Sequence, residues 1–358
     1  MYIPKISSLP SILTCNDGSC VTTIEEWEMK RRGEIYGFFT DYVYGRVPEI
    51  EMKVSHTKER RETGGVIEYD VVITTKTTFG SHSFNAYILV PKTEKPCPVF
   101  EVIQFPYQET HVFKEKLLNR GYALARFYYP DICTDDNNDF SGGIHAIVKE
   151  PDGVRKDNTW GAIASWAWAA SRLMDVVETI PEIDSSRAAL VGHSRTGKAA
   201  LWCGASDKRF GLICSNESGC GGTAITRKKQ GEHIKDICKG FPCWFCSNYK
   251  TFGDNEENMP FDQHMLLALI APRPLYISSA VEDLWSGPPS EFLGAKCVAE
   301  IYELYGKKAL ELEEFPIVGT VDQSGYVAYH LRRGAHALST YDWDEFINYA
   351  DKVLKESM

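Results

Sequence analysis

No run of about twenty uncharged apolar residues occurs in the 358-residue chain, so a membrane-spanning helix is not expected. The longer apolar stretches, Trp160–Ala170 and Leu266–Ala271, are far too short. Positive charge is also in deficit: 39 Lys and Arg stand against 49 Asp and Glu, a net charge of −10. That balance repels a polyanion such as nucleic acid, and no basic stretch offsets it. Repeats, low-complexity tracts and Ser/Pro-rich linkers are missing, which excludes solenoids and points to a single catalytic domain over residues 1–358. The opening MYIPKISSLPSILT lacks the positive start and apolar core of a signal peptide. The chain as written therefore reads as cytoplasmic, and as secreted or periplasmic if a leader was removed. Eleven cysteines, an odd number, leave at least one thiol without an intrachain partner, and Cys15 and Cys20 are expected to pair only on export. What the chain does have is 43% hydrophobic residues, enough for a sizeable core.

Residues 1–50 read as a Cys-containing loop, a helix at Ile24–Glu34 and a turn at Tyr44–Pro48, packed on the catalytic domain. Val66–Thr75 and Ser83–Val90 form an expected antiparallel pair around Phe79-Gly80. Further short strands follow at Pro98–Gln104, Tyr122–Tyr128, Arg187–Val191, Leu212–Ser215, Leu275–Ser279 and Tyr326–Leu331. Helical patterns fall between or after them at Glu109–Asn119, Trp160–Ile180, Ala199–Ala205 and Tyr341–Leu354. This alternation predicts an α/β fold, a three-layer sandwich whose mostly parallel sheet is covered by helices on both faces. Ligands on such sheets gather at the carboxyl ends of the strands.

Ala188-Ala189-Leu190-Val191-Gly192-His193-Ser194 is a strand that runs into a small-residue turn and then a helix. The nucleophile elbow of α/β-hydrolases has this setting: a sharp turn exposes a serine Oγ, and small neighbours let the helix cross close to the strand. The usual elbow has glycine two residues after the serine, whereas here Gly197 comes third. Gly192 to Lys198 also has the outline of a phosphate-binding loop, but Ala199 stands where that loop needs Ser or Thr. A nucleophilic Ser194 needs a base, and the base needs an orienting acid. Of nine histidines, His336 lies between the last strand and the closing helix, where hydrolases of this fold keep their base. His330 falls inside the strand pattern, and the tight turn is expected to point His193 elsewhere. Two acids compete, Glu217 after the strand Leu212–Ser215 and Asp283 after Leu275–Ser279; the pattern leaves both open.

Gly192-His193-Ser194-Arg195-Thr196-Gly197-Lys198-Ala199-Ala200-Leu201-Trp202 and Ser215-Asn216-Glu217-Ser218-Gly219-Cys220-Gly221-Gly222 resemble the bacterial branch of the glucuronoyl esterases. So do Asp262-Gln263-His264, Ala271-Pro272-Arg273-Pro274, Glu282-Asp283-Leu284-Trp285, and His336 with Tyr341-Asp342-Trp343, in the same order. The resemblance implies an α/β-hydrolase fold and a serine esterase. Its implied substrates are esters of 4-O-methyl-glucuronic acid on glucuronoxylan, including lignin–carbohydrate ester links. Carried over by motif, Ser194 is the nucleophile, His336 the base and Glu217 the acid, with Asp283 a possible second acid. Arg195 resembles the arginine that stabilises the oxyanion, and Lys198, Glu232 and Trp285 match residues that hold the uronate ring. Lys198, one helical turn after Ser194, is expected near the pocket mouth. The fungal branch carries a disulfide-bonded cysteine just before the nucleophile, and His193 occupies that position here. No cofactor and no metal are expected, and the protein is expected to act as a monomer.

Cys243-Trp244-Phe245-Cys246 has redox or zinc spacing but neither context, and reads as packed thiols. Asp135-Asp136 and Asp254 lack EF-hand spacing. The long loops Asp131–Asp157 and Thr223–Glu257 are expected to wall the serine and select the substrate. Two other readings stay open at this level: a carbohydrate deacetylase of the acetyl-xylan esterase kind, and a catalytically idle sugar-binding relative.

Overall fold

A computed structural model describes residues 9–355, apart from 109 and 136–138. Its strands are β1 (Lys53–Thr63), β2 (Val66–Thr77), β3 (Gly80–Pro91), β4 (Cys97–Gln104), β5 (Ala123–Tyr128), β6 (Ile183–His193), β7 (Leu212–Asn216), β8 (Leu275–Ala280), β9 (Val321–Asp322) and β10 (Val327–Arg332). They form one sheet in the order β1-β2-β3-β5-β4-β6-β7-β8-β10-β9. From β5 through β4, β6, β7 and β8 to β10 every pairing is parallel; the two ends of the sheet are antiparallel.

Burial follows from this topology. Strands β4, β7, β8 and β10 are buried at every position, because helices cover both faces there. On one face the helices His111–Asn119 and Thr340–Ala350 close over Phe100, Ala189, Val191, Leu212 and Tyr276. On the other, Ala162–Val177 and Arg195–Ser206 cover Val99, Ile103, Leu190 and Ile213. The fold is that of an α/β-hydrolase. Among the described residues no helix is long and apolar enough to cross a membrane.

Several elements differ from the pattern-based expectation. β1 was not expected, because its eleven residues are all exposed and largely charged, and a solvated edge strand leaves no apolar alternation to read. The N-terminal helix continues through a π-helical stretch, Trp27–Arg31, to Tyr42 instead of stopping at Glu34. The helix after Ser194 starts at Arg195, four residues earlier than expected, since Thr196 and Gly197 are poor helix formers that packing holds in place. Of the three tryptophans expected in the core, Trp160 and Trp166 are buried and Trp168 is half-buried against them; the thiols of Cys243 and Cys246 are buried.

The β6-to-helix turn shows why small residues are needed. Ser194 adopts φ 54° and ψ −124°, a strained conformation for a residue with a side chain, and its N–H donates to Asn216 O at 2.9 Å. A Cβ on Gly192 would lie 2.0 Å from Thr196 O, so only glycine fits where the helix crosses the strand end. The Thr196 hydroxyl donates to His193 O and accepts from His193 N, both at 2.9 Å, and pins the turn. Gly192→Ala should therefore cost about 3 kcal/mol of stability or more in urea unfolding. Unchanged stability would mean that the turn is not so tightly packed.

Candidate active site

The carboxyl ends of β6, β7, β8 and β10 bring Ser194, Glu217, Asp283 and His336 to one edge of the sheet. Glu217 directly follows β7, with φ 46°, its N–H donating to Ser278 O at 2.9 Å. The loop after β8 is tied to the end of β10 by Val281 N to Arg332 O (2.9 Å) and Glu282 N to Gly334 O (3.1 Å). Those bonds set Asp283 beside His336. His336 Nδ1 lies 2.6 Å from Asp283 Oδ2 and 3.2 Å from Glu217 Oε2. Both candidate acids thus meet the same ring nitrogen, with Asp283 the nearer.

Arg332 makes that crowding tolerable. This buried guanidinium pairs through Nη2 with Glu217 Oε1, and its Nε donates to both oxygens of Asp342, at 3.0 Å to Oδ1 and 2.9 Å to Oδ2. Its Nη2 also donates to the carbonyls of Ala335 (3.2 Å) and Ala337 (2.6 Å), the two neighbours of His336. Asp342 in turn accepts from Ser339 in the capping box of the last helix, and lies 2.9 Å from His330 Nε2. His330 is a sheet residue, as expected.

Charge follows from these neighbours. Burial opposes ionisation of His336, but the hydrogen bonds to Asp283 and Glu217 outweigh it and lift the imidazole to about 9. Burial raises Glu217 to about 7 against the pull of His336 and Arg332. Burial also works against charge on Asp283, but its bonds from His336 and Ser286 hold it below the usual carboxylate range.

His193 corrects one expectation. It does not point away: its ring lies against that of His336, centroids 4.5 Å apart, and its Nδ1 is 2.5 Å from Asn216 Oδ1. The short bond to Asn216, at the end of the neighbouring strand, turns the ring toward His336. Burial and the nearby His336 hold His193 down to about 3, so it is a neutral wedge. His193, Glu217 and His336 offer ligand atoms within 4.8 Å of one another. Glu217 Oε1 and the Nδ1 atoms of both histidines are already paired with Arg332, Asn216 and Asp283.

Arg195 projects onto the face of Trp244, 4.6 Å from the ring centroid, and pairs with Asp135. Asp135 comes from the loop 131–157 and Trp244 from 223–257, so these two loops do meet over the elbow; Asp136 lies outside the described residues. Lys198 is buried instead of sitting at a pocket mouth, because its ammonium turns inward to 5.7 Å from the Trp244 ring. Burial lowers its pKa, and Glu232 is the strongest opposing charge. Glu232 accepts from Trp285 Nε1 at 3.1 Å, and its own N–H donates to Trp285 O at 2.9 Å. Trp285 itself is 58% exposed, which leaves a ring face open to a ligand. In the sequence Asp135 reads only as a cation-site residue that lacks EF-hand spacing and Trp244 only as packing, and Arg332 is missed. Only Arg332 carried a signal, two residues before the Gly-Ala-His motif.

The fold places the protein among the α/β-hydrolases, and its chemistry is that of a carboxylic ester hydrolase. A family model for fungal glucuronyl esterases matches residues 73–306. A carbohydrate esterase from an unknown prokaryotic organism is 36% identical, over 98% of this chain and 90% of its own. The 4-O-methyl-glucuronoyl methylesterase of Schizophyllum commune is 29% identical, over 84% of this chain and 74% of its own. The solved glucuronoyl esterase from Solibacter usitatus superposes with a TM-score of 0.90 at 35% identity, covering 98% of both chains. The chain belongs to the glucuronoyl esterase family.

The His336 ionisation can be checked directly. Its NMR titration midpoint should lie near 9, and Asp283→Asn, which removes the nearer carboxylate, should move it toward 6.5. Because the folded value is raised, the pairing stabilises the fold fully below about 6.5 and loses that contribution as pH rises through about 9. A midpoint unmoved by Asp283→Asn would show that Asp283 does not govern the ring.

Proposed function

We propose that the protein is a serine esterase that hydrolyses esters of glucuronic and 4-O-methyl-glucuronic acid on glucuronoxylan, including lignin–carbohydrate ester links. The observation that carries this reading is the imidazole of His336, 2.6 Å from Asp283 and 3.2 Å from Glu217, packed against the residue that precedes Ser194. The names of the methylesterase and glucuronoyl esterase relatives support the substrate class.

In this mechanism Ser194 Oγ attacks the C6 carbonyl of the uronate while the neutral form of His336, which gains population as pH rises toward about 9, takes the hydroxyl proton through the ring nitrogen not facing the carboxylates. Asp283 and Glu217 fix the tautomer and stabilise the imidazolium. The tetrahedral intermediate collapses, the alcohol leaves with the proton from His336, and an acyl ester remains on Ser194. Water, deprotonated by the same imidazole, then releases the uronate and restores the serine. Arg195 supports the developing oxyanion, a contribution of about 3 kcal/mol for a donor of this kind. Lys198 and Glu232 bind the sugar hydroxyls, and the exposed Trp285 ring stacks on the sugar face. An acetyl group needs none of these three, which disfavours a deacetylase, and a sugar binder has no use for the serine–histidine pair.

Hydrolysis of benzyl glucuronate should fall at least about 10³-fold in Ser194→Ala, with 4-nitrophenyl acetate a poor substrate for the unaltered enzyme. Activity on the acetate alone would move the protein to the deacetylases, and activity on neither would favour the sugar binder.

A further inference from the structure

Asp135 stands at a point where three distant segments meet. Its carboxylate pairs with Arg195 Nη1, accepts from Tyr129 Oη at 2.9 Å and accepts from Trp244 Nε1 at 2.7 Å. The Arg195 guanidinium lies 4.6 Å from the Trp244 ring centroid, 5.3 Å from Phe241 and 5.7 Å from Phe105. Phe241 and Trp244 are themselves stacked, 3.8 Å apart at 11°. The guanidinium therefore sits in an aromatic box with one carboxylate as its counter-ion. The Arg195 side chain is 23% exposed and that of Asp135 16%, so solvent screens the pair only in part.

An arginine beside the reacting carbonyl faces two opposed demands. It should stabilise an oxygen that gains charge in the transition state, yet the product is a full carboxylate at the same carbon. A free guanidinium holds that product too, and binding spent on the product does not speed turnover. A fixed counter-ion changes the balance. It preserves directional N–H donors while reducing the net charge that a departing anion feels, and it spares the arginine any reorganisation during reaction.

We propose that Asp135 is a positioning residue that holds Arg195 in the aromatic box and offsets its charge, so that the uronate product is released. The inference rests on the reading of Arg195 as the oxyanion donor. The test uses the full chain with benzyl glucuronate as substrate and D-glucuronate as inhibitor. Asp135→Asn keeps an acceptor but removes the charge, and should lower the glucuronate Ki about fivefold, the scale of a partly exposed charge pair. Asp135→Ala removes the anchor as well and should reduce kcat at least about tenfold with little change in KM. Asp135→Glu keeps the charge but moves it, so it should lower kcat and leave the Ki within about twofold of the parent. If Asp135→Asn does not fold, the Glu variant decides alone, since a Ki that falls there overturns the proposal. An unchanged Ki in Asp135→Asn, with Arg195→Ala inactive, overturns the proposal and leaves the esterase reading standing. An Arg195→Ala enzyme with parental kcat removes the oxyanion role itself, and the inference with it.

Discussion

The buried pairing of Arg332 with Glu217 and Asp342 is what the rest of the site depends on. Two carboxylates facing one imidazole nitrogen repel each other, and Glu217 is fully buried, so it needs a cation that does not leave. Arg332 supplies it from the last residue of β10. The same guanidinium binds the carbonyls on either side of His336, so the charge that balances Glu217 also fixes the loop carrying the histidine. Asp342 closes the circuit by tying Arg332 to the start of the last helix. Removing one member of such a group leaves an uncompensated buried charge, which typically costs about 3–5 kcal/mol.

This arrangement is rigid on one side of the serine, and the other side is built on a similar principle. There Asp135 and Trp244 hold Arg195 much as Asp283 and Glu217 hold His336: in each place a carboxylate fixes a basic side chain. Between the two lies the strained Ser194 turn, fixed by the Gly192–Thr196 approach and by hydrogen bonds to the end of β7. Preorganisation of this kind means that, in the proposed mechanism, little has to move as charge shifts from serine to carbonyl oxygen and imidazole.

How much of this was legible in the sequence depends on range. The elbow could be read because strand, small turn and helix are contiguous from Ala188 onward. His336 could be placed because the order of strands and helices fixes which loop comes last. Partners brought together by folding could not be read. Arg332 and Glu217 are 115 residues apart, and Asp135 and Arg195 are 60. The direction of a side chain within a tight turn was also out of reach, which is why His193 was expected away from the base and lies against it. Lys198 was expected one helical turn after Ser194 and near the pocket mouth, but its depth depends on Trp244, a residue whose C-x-x-C setting pointed only to packing. Strand β1 was missed for the opposite reason, since it buries nothing and a polar edge strand carries no hydrophobic signature.

In the proposed mechanism Ser194 carries the acyl group. Rapid quenching of the enzyme with a fast-leaving glucuronate ester, followed by digestion and peptide mass analysis, tests it most directly. One glucuronoyl group should be found esterified to Ser194 and absent from Ser194→Ala. Steady ester hydrolysis by Ser194→Ala at the parental rate, with no acylated peptide in either protein, would contradict it.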